Sequence, residues 1–209
     1  MGKENIKLLM AELEWEVEII KDPKVQIFNI ITKSQEKRHI IRIRKEEDKE
    51  DLNFAHELIH AYLAEKVAPV FGVGGFKSEQ KPTEEDMFRI YHIVGSVVEY
   101  FVEMKLIQFL GKEVMREKYM EGLEVIKSIL SMDQSEKSML LIMDAVPIMR
   151  DLGLDISFAD PYIILLKVSE IIQPAEPSLE ILEEYSNSLL KVFGLSVELK
   201  VSPKEITIV

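Results

Sequence analysis

The 209-residue chain has no cysteine. That absence excludes disulfides, thiolate metal sites, iron-sulfur ligation and cysteine nucleophiles, so any metal must be held by His, Asp or Glu. Histidine is scarce, with four in the chain, and tryptophan occurs once. Positive charge is in deficit: 26 Lys and Arg stand against 37 Asp and Glu, a formal net charge of -11. A phosphate backbone needs a basic face, and only short stretches such as "KRHIIRIRK" would supply one, so no nucleic-acid partner is expected. No run of about 18 apolar residues occurs, and "MGKENIKLLMAELEWE" carries acids where a signal peptide needs an unbroken apolar segment. No membrane span is expected, and a cytoplasmic location is the default. What the chain does have is 47% hydrophobic and 30% charged residues, the profile of a globular protein with a sizeable core.

Alternation predicts strands near the start. In "ELEWEVEI", residues 12–19, Leu13, Trp15, Val17 and Ile19 fall on one side and four glutamates on the other. "VQIFNIIT" and "RHIIRIR" read as two more strands, the last with a solvated face on which His39 is a surface residue. The acidic loop "KEEDKED" leads into the segment "LNFAHELIHAYLAE", with Asp51 or Asn53 as candidate helix caps. "PVFGVGGFKSEQKP" is a loop, either a flap near a site or a plain connection. Thr83 followed by Glu84, Glu85 and Asp86 opens a long helix that should end at Gly111. Helical spacing continues near 113–132, 134–152, 161–172 and 178–193, with Pro161 suited to a first helical position. The end, "LSVELKVSPKEITIV", predicts a hairpin or a strand added to the N-terminal sheet.

The fold class is therefore α+β, a small N-terminal sheet leading into a pair of helices with a mostly helical C-terminal half. Residues 1–111 form the expected core, and residues 112–209 a helical part packed on it or offering a surface to a protein partner.

Histidines four apart on a helix share one face, so His56 and His60 can converge on one ion. Glu57 is rotated away from that face far enough to reach an ion-bound water without being a ligand. Two such histidines are also compatible with ordinary core residues, but a shuffle of this composition yields HExxH only roughly once in a hundred attempts.

The segment resembles the HExxH motif of the zincin metallopeptidases. Phe54, Leu58, Ile59, Ala61 and Tyr62 are uncharged where that family's extended motif wants uncharged residues, and Asn53 alone departs from it. The resemblance covers about residues 12–111 and implies a zinc-dependent peptidase acting on a peptide or protein substrate. It also implies a sheet whose edge strand binds extended substrate. The metzincin branch would need a histidine where Lys66 stands, and peptide deformylases need a cysteine ligand. The gluzincin branch instead takes a glutamate from a second helix, with an acid four residues later that orients a ligand histidine.

In "EEDMFRIYHIVGSVVEYFVEMKLI", His92, Ser96, Glu99 and Glu103 form one polar stripe along an otherwise apolar helix. The resemblance implies Glu99 as the third zinc ligand and Glu103 as the orienting carboxylate, with Glu57 as general base. Small Gly95 and Ser96 would let the helices approach. A solvated edge remains an alternative for Glu99 and Glu103. His92 is a candidate oxyanion donor, a support behind a ligand or an alternative ligand, with Tyr91, Tyr62 and Tyr100 competing as donors. The rival readings are a non-catalytic zinc-binding or protein-interaction domain of zincin ancestry, a relative that has lost its metal, and a helical interaction protein.

Overall fold

The computed structural model describes residues 3–25, 29–45, 51–72, 75–78 and 82–209. The protein is mixed α+β, with two three-stranded sheets and a mostly helical C-terminal half among the described residues. Among the described residues no helix is long and apolar enough to cross a membrane.

Helix α1 (Lys3–Ala11) buries Ile6 and Leu9, three apart on one face, and had no counterpart in the sequence expectation. Strand β1 spans Glu16–Lys21, later than the expected 12–19. The shift has a cause: the backbone N–H groups of Glu14 and Trp15 donate to the carboxylate of Glu65 instead of joining a ladder. Strands β2 (Asn29–Lys33) and β3 (Arg38–Ile43) complete the first sheet, in the order β1-β3-β2. β3 runs parallel to β1 and antiparallel to β2. Part of the second expected strand, residues 26–28, lies outside the described residues, as do 46–50 of the acidic loop and 73–74 and 79–81 of the glycine-rich one.

Being central, β3 is buried on more than one side, and His39 with it, against the expectation of a surface residue. Thr32 pairs with it across the ladder and meets Nδ1 at 3.0 Å, while Glu65 accepts from Nε2 at 3.2 Å and Trp15 stacks on the ring. Burial outweighs Glu65 and holds the His39 pKa below its ordinary value.

Helix α2 (Leu52–Lys66) is capped by Asp51 and apolar nearly all round, as a helix enclosed in a core must be. A single 3-10 turn (Pro69–Phe71) and strand β4 (Gly75–Ser78) follow. Helix α3 (Glu84–Leu110) starts at the Thr83 cap and stops at Gly111, whose φ of 91° only glycine adopts without strain. Helix α4 (Lys112–Met132) matches its expectation.

The helix expected over 134–152 is two helices, α5 (Glu136–Ile142) and α6 (Ala145–Asp151). Pro147 explains the break. Its ring opposes the carbonyl four residues back, at Met143, and it lacks the N–H that a continuous helix would bond there. In the first turn of α6 that N–H is not needed. Pro161 stands in a turn before α7 (Ile163–Ile171) and does not open it. Helix α8 (Leu179–Val192) is capped by Ser178.

Strands β5 (Leu199–Val201) and β6 (Glu205–Ile208) form the C-terminal hairpin. The hairpin joins β4, with β6 parallel to it, and not the N-terminal sheet. Between the layers, Phe101 of α3 packs on Phe71 and stacks on Tyr185 of α8, and Tyr100 donates to Asp151 at 2.6 Å. These contacts fix α3 at the centre of the molecule, against α2 on one side and α6 and α8 on the other.

Candidate metal centre

The imidazoles of His56 and His60 meet edge to face, 5.0 Å between ring centres, on the side of α2 turned to α3. Glu99 reaches both from α3: its carboxylate lies 3.0 Å from His56 Nε2 and 3.3 Å from His60 Nε2. One donor atom from each residue falls within 4.8 Å of the other two. Ligands of a tetrahedral zinc at about 2.0–2.1 Å stand roughly 3.3 Å apart, so small side-chain movements close this group on an ion. Two imidazoles and one carboxylate are a donor set of the kind that binds zinc with a position left open.

The remaining nitrogens each face an acceptor, which leaves each Nε2 for an ion once the imidazole is neutral. His56 Nδ1 donates to Glu103 Oε1 at 2.8 Å, and His60 Nδ1 donates to the Phe71 carbonyl at 2.9 Å. Both Nε2 atoms are thereby turned to Glu99. Glu103 is buried, 3% exposed, so the alternative of a solvated edge does not hold for it. Its Oε1 also accepts from Lys118 of α4 at 2.7 Å, while Oε2 has no hydrogen-bond partner among the described residues.

Electrostatics describe a place waiting for positive charge. Burial pulls the His56 pKa down, but the bond to Glu103 and the nearness of Glu99 outweigh it and hold the group up to about 10. Burial likewise raises Glu99, yet the two histidines hold its carboxyl well below the usual range. Glu103 is lowered against its own burial by His56 and Lys118. Glu57, 9% exposed, is raised, chiefly by burial and further by Glu99, with both histidines and the Ile30 N–H of β2 opposing. A carboxyl raised from its ordinary value is a stronger proton acceptor when ionised.

His92 does not join the group. It packs on Phe88, 4.3 Å between ring centres, and lines a cavity of about 260 Å³ with Tyr91, Gly95, Glu99, Leu141 and Asp144. Burial and the charge of Lys137 hold its pKa below the ordinary value. Of the competing donors, Tyr100 commits its hydroxyl to Asp151 and Tyr62 packs on Phe109, whereas Tyr91 lies at the cavity. The small pair also divides. Ser96 is buried and Gly95 is partly exposed; both line the cavity, and a Cβ added at Gly95 meets nothing within 4 Å.

Among family models, curated proteins and solved structures, none matches this chain. Its chemistry has to be read from its own side chains. Four contributors escaped the sequence reading: the Phe71 carbonyl, the Ile30 N–H, Lys118 and Asp144. Backbone groups leave no trace in a sequence, and Lys118 is one lysine among many. Asp144 had a signal in Pro147, which breaks the helix beside it.

Proposed function

We propose that the protein is a zinc-dependent metallopeptidase that hydrolyses peptide bonds. The observation that carries this reading is the convergence of His56, His60 and Glu99 from two helices, with Glu57 beside them and no fourth protein donor in the group among the described residues. A closed four-ligand group would favour a structural zinc instead.

His56, His60 and Glu99 would hold the ion, which when bound supplies a lowered water pKa and a polarised scissile carbonyl. Glu57 takes the proton of the attacking water and returns it to the leaving amine. Glu103 and the Phe71 carbonyl keep each histidine's Nε2 lone pair turned inward. His92 and Tyr91, on the cavity wall, are the side chains available to donate to the developing oxyanion.

Elemental analysis of the purified protein, with Glu99→Ala and chelator-treated samples beside it, tests the first half. About one zinc per chain is expected, lost or much weakened in the variant. A protein that takes up no zinc after supplementation removes the mechanism and favours a helical binding protein. Glu57→Gln tests the second half: zinc is retained while turnover falls by about two to four orders of magnitude.

A further inference from the structure

The cavity beside Glu99 joins elements from both halves of the chain. Tyr91, Gly95 and Glu99 come from successive turns of α3, Leu140 and Leu141 from the end of α5, and Asp144 from the junction with α6. At about 260 Å³ it falls just below the roughly 300–1,000 Å³ of pockets that hold whole small ligands, a size suited to one side chain. Tyr91, Leu140 and Leu141 give it an apolar side, opposed by the polar His92, Ser96, Glu99 and Asp144, and Tyr91 and Leu141 are each about half exposed at 51% and 53%.

Asp144 is the unexplained member. It does not cap α6, and its side chain forms no ion pair or hydrogen bond with another residue among the described ones. Burial and the neighbouring Glu99 and Glu103 push its pKa up to about 7, and the cation that opposes them, Lys118, is bonded to Glu103. A carboxylate in such a position gains most from a cation supplied from outside.

From the apolar side made by Tyr91, Leu140 and Leu141, the unpartnered Asp144 carboxyl group and the shared Glu99, we infer that this cavity selects a lysine or arginine side chain of the peptide substrate, with Asp144 as the specificity-determining residue. The inference rests on the metallopeptidase reading in taking a peptide as the ligand. Long basic side chains suit the cavity because their methylene stems pack on apolar surface while the head seeks a carboxylate. The net charge of -11 draws the same class of peptide toward the protein.

The test separates binding from turnover. Two peptides are compared, each an alanine and glycine sequence carrying a single lysine or a single norleucine, which keeps the stem and drops the charge. Calorimetry on zinc-loaded Glu57→Gln should give binding of the lysine peptide about tenfold tighter or more. That preference should vanish in Glu57→Gln/Asp144→Asn. Gly95→Leu, which fills the cavity, should weaken both peptides, and zinc content measured on each variant shows that the centre is intact. Equal affinities, no binding of either peptide, or a lysine preference that survives Asp144→Asn would each overturn the assignment. Turnover is then measured on the parent protein. Lysine-selective binding with no hydrolysis would sink the peptidase reading and leave the subsite standing.

Discussion

Glu103 Oε1 takes two donors, His56 Nδ1 and Lys118 Nζ, so one buried oxygen orients a candidate ligand and is itself held ionised by a lysine. Removing such outer partners typically weakens a metal site about 10–100-fold. Glu103→Ala should fall in that range, and Lys118→Met nearer its lower end, read by competition with a chromophoric chelator. The proton on His56 adds a pH dependence. With its pKa held up to about 10, His56 is charged at neutral pH in the metal-free protein, and loading must expel that proton. Apparent zinc affinity should therefore rise about tenfold per unit from roughly pH 6 to pH 9. Stability of the metal-free fold runs the other way. A histidine raised from about 6.5 stabilises the folded state fully below that value and loses the contribution as pH climbs through about 10. A melting temperature of the chelated protein that does not fall over that interval would contradict the shift. At this scale the sequence was legible wherever side-chain spacing carried the signal, as for His56, His60, Glu99 and Glu103. It failed for His39, because whether β3 is an edge or a central strand depends on pairing that no local pattern records.

The turn Pro69–Phe71 presents the carbonyl that orients His60, and Gly72 locks that turn in place. A Cβ on Gly72 would come within 2.9 Å of the Ala64 Cβ and would clash with Thr32 Oγ1, so the backbone approaches both α2 and β2. Gly72→Ala must push the turn away. Overpacking of this kind costs about 1–3 kcal/mol, and here it should also lower zinc affinity, since Phe71 moves with its neighbour. Undiminished affinity alongside a lowered melting temperature would show that the Phe71 carbonyl is not needed. The elements themselves were readable to different degrees. Thr83 and Gly111 bound α3 by local chemistry, and the structure agrees. Residues 12–15 alternate like a strand, but the Glu12 and Leu13 N–H groups donate back to Leu9 and Met10 of α1, and those of Glu14 and Trp15 donate to Glu65, about fifty residues on, which periodicity cannot anticipate.

Across the molecule, the C-terminal hairpin reaches back to the site. β6 pairs with β4, and the Val70 N–H donates to the Pro203 carbonyl at 2.9 Å, so residues near 200 brace the turn that holds His60. Ile206→Ala, at a position 2% exposed, should cost about 2–5 kcal/mol and weaken zinc binding as well. Leu165→Ala in α7, equally buried but remote from that brace, should lower the melting temperature with little change in affinity. Equal losses of affinity in both variants would refute the coupling. The sequence offered a hairpin or a strand on the N-terminal sheet, and it did not give the hairpin's partner, because β4 lies in a glycine-rich segment with little strand pattern of its own. The brace also sets an order of events during synthesis. His56, His60 and Glu99 emerge from the ribosome about a hundred residues or more ahead of the hairpin that braces the turn holding His60. A nascent chain thus carries the three side chains for an interval without the support that fixes one of them, and durable capture of the proposed ion would wait until residues 199–208 have folded back.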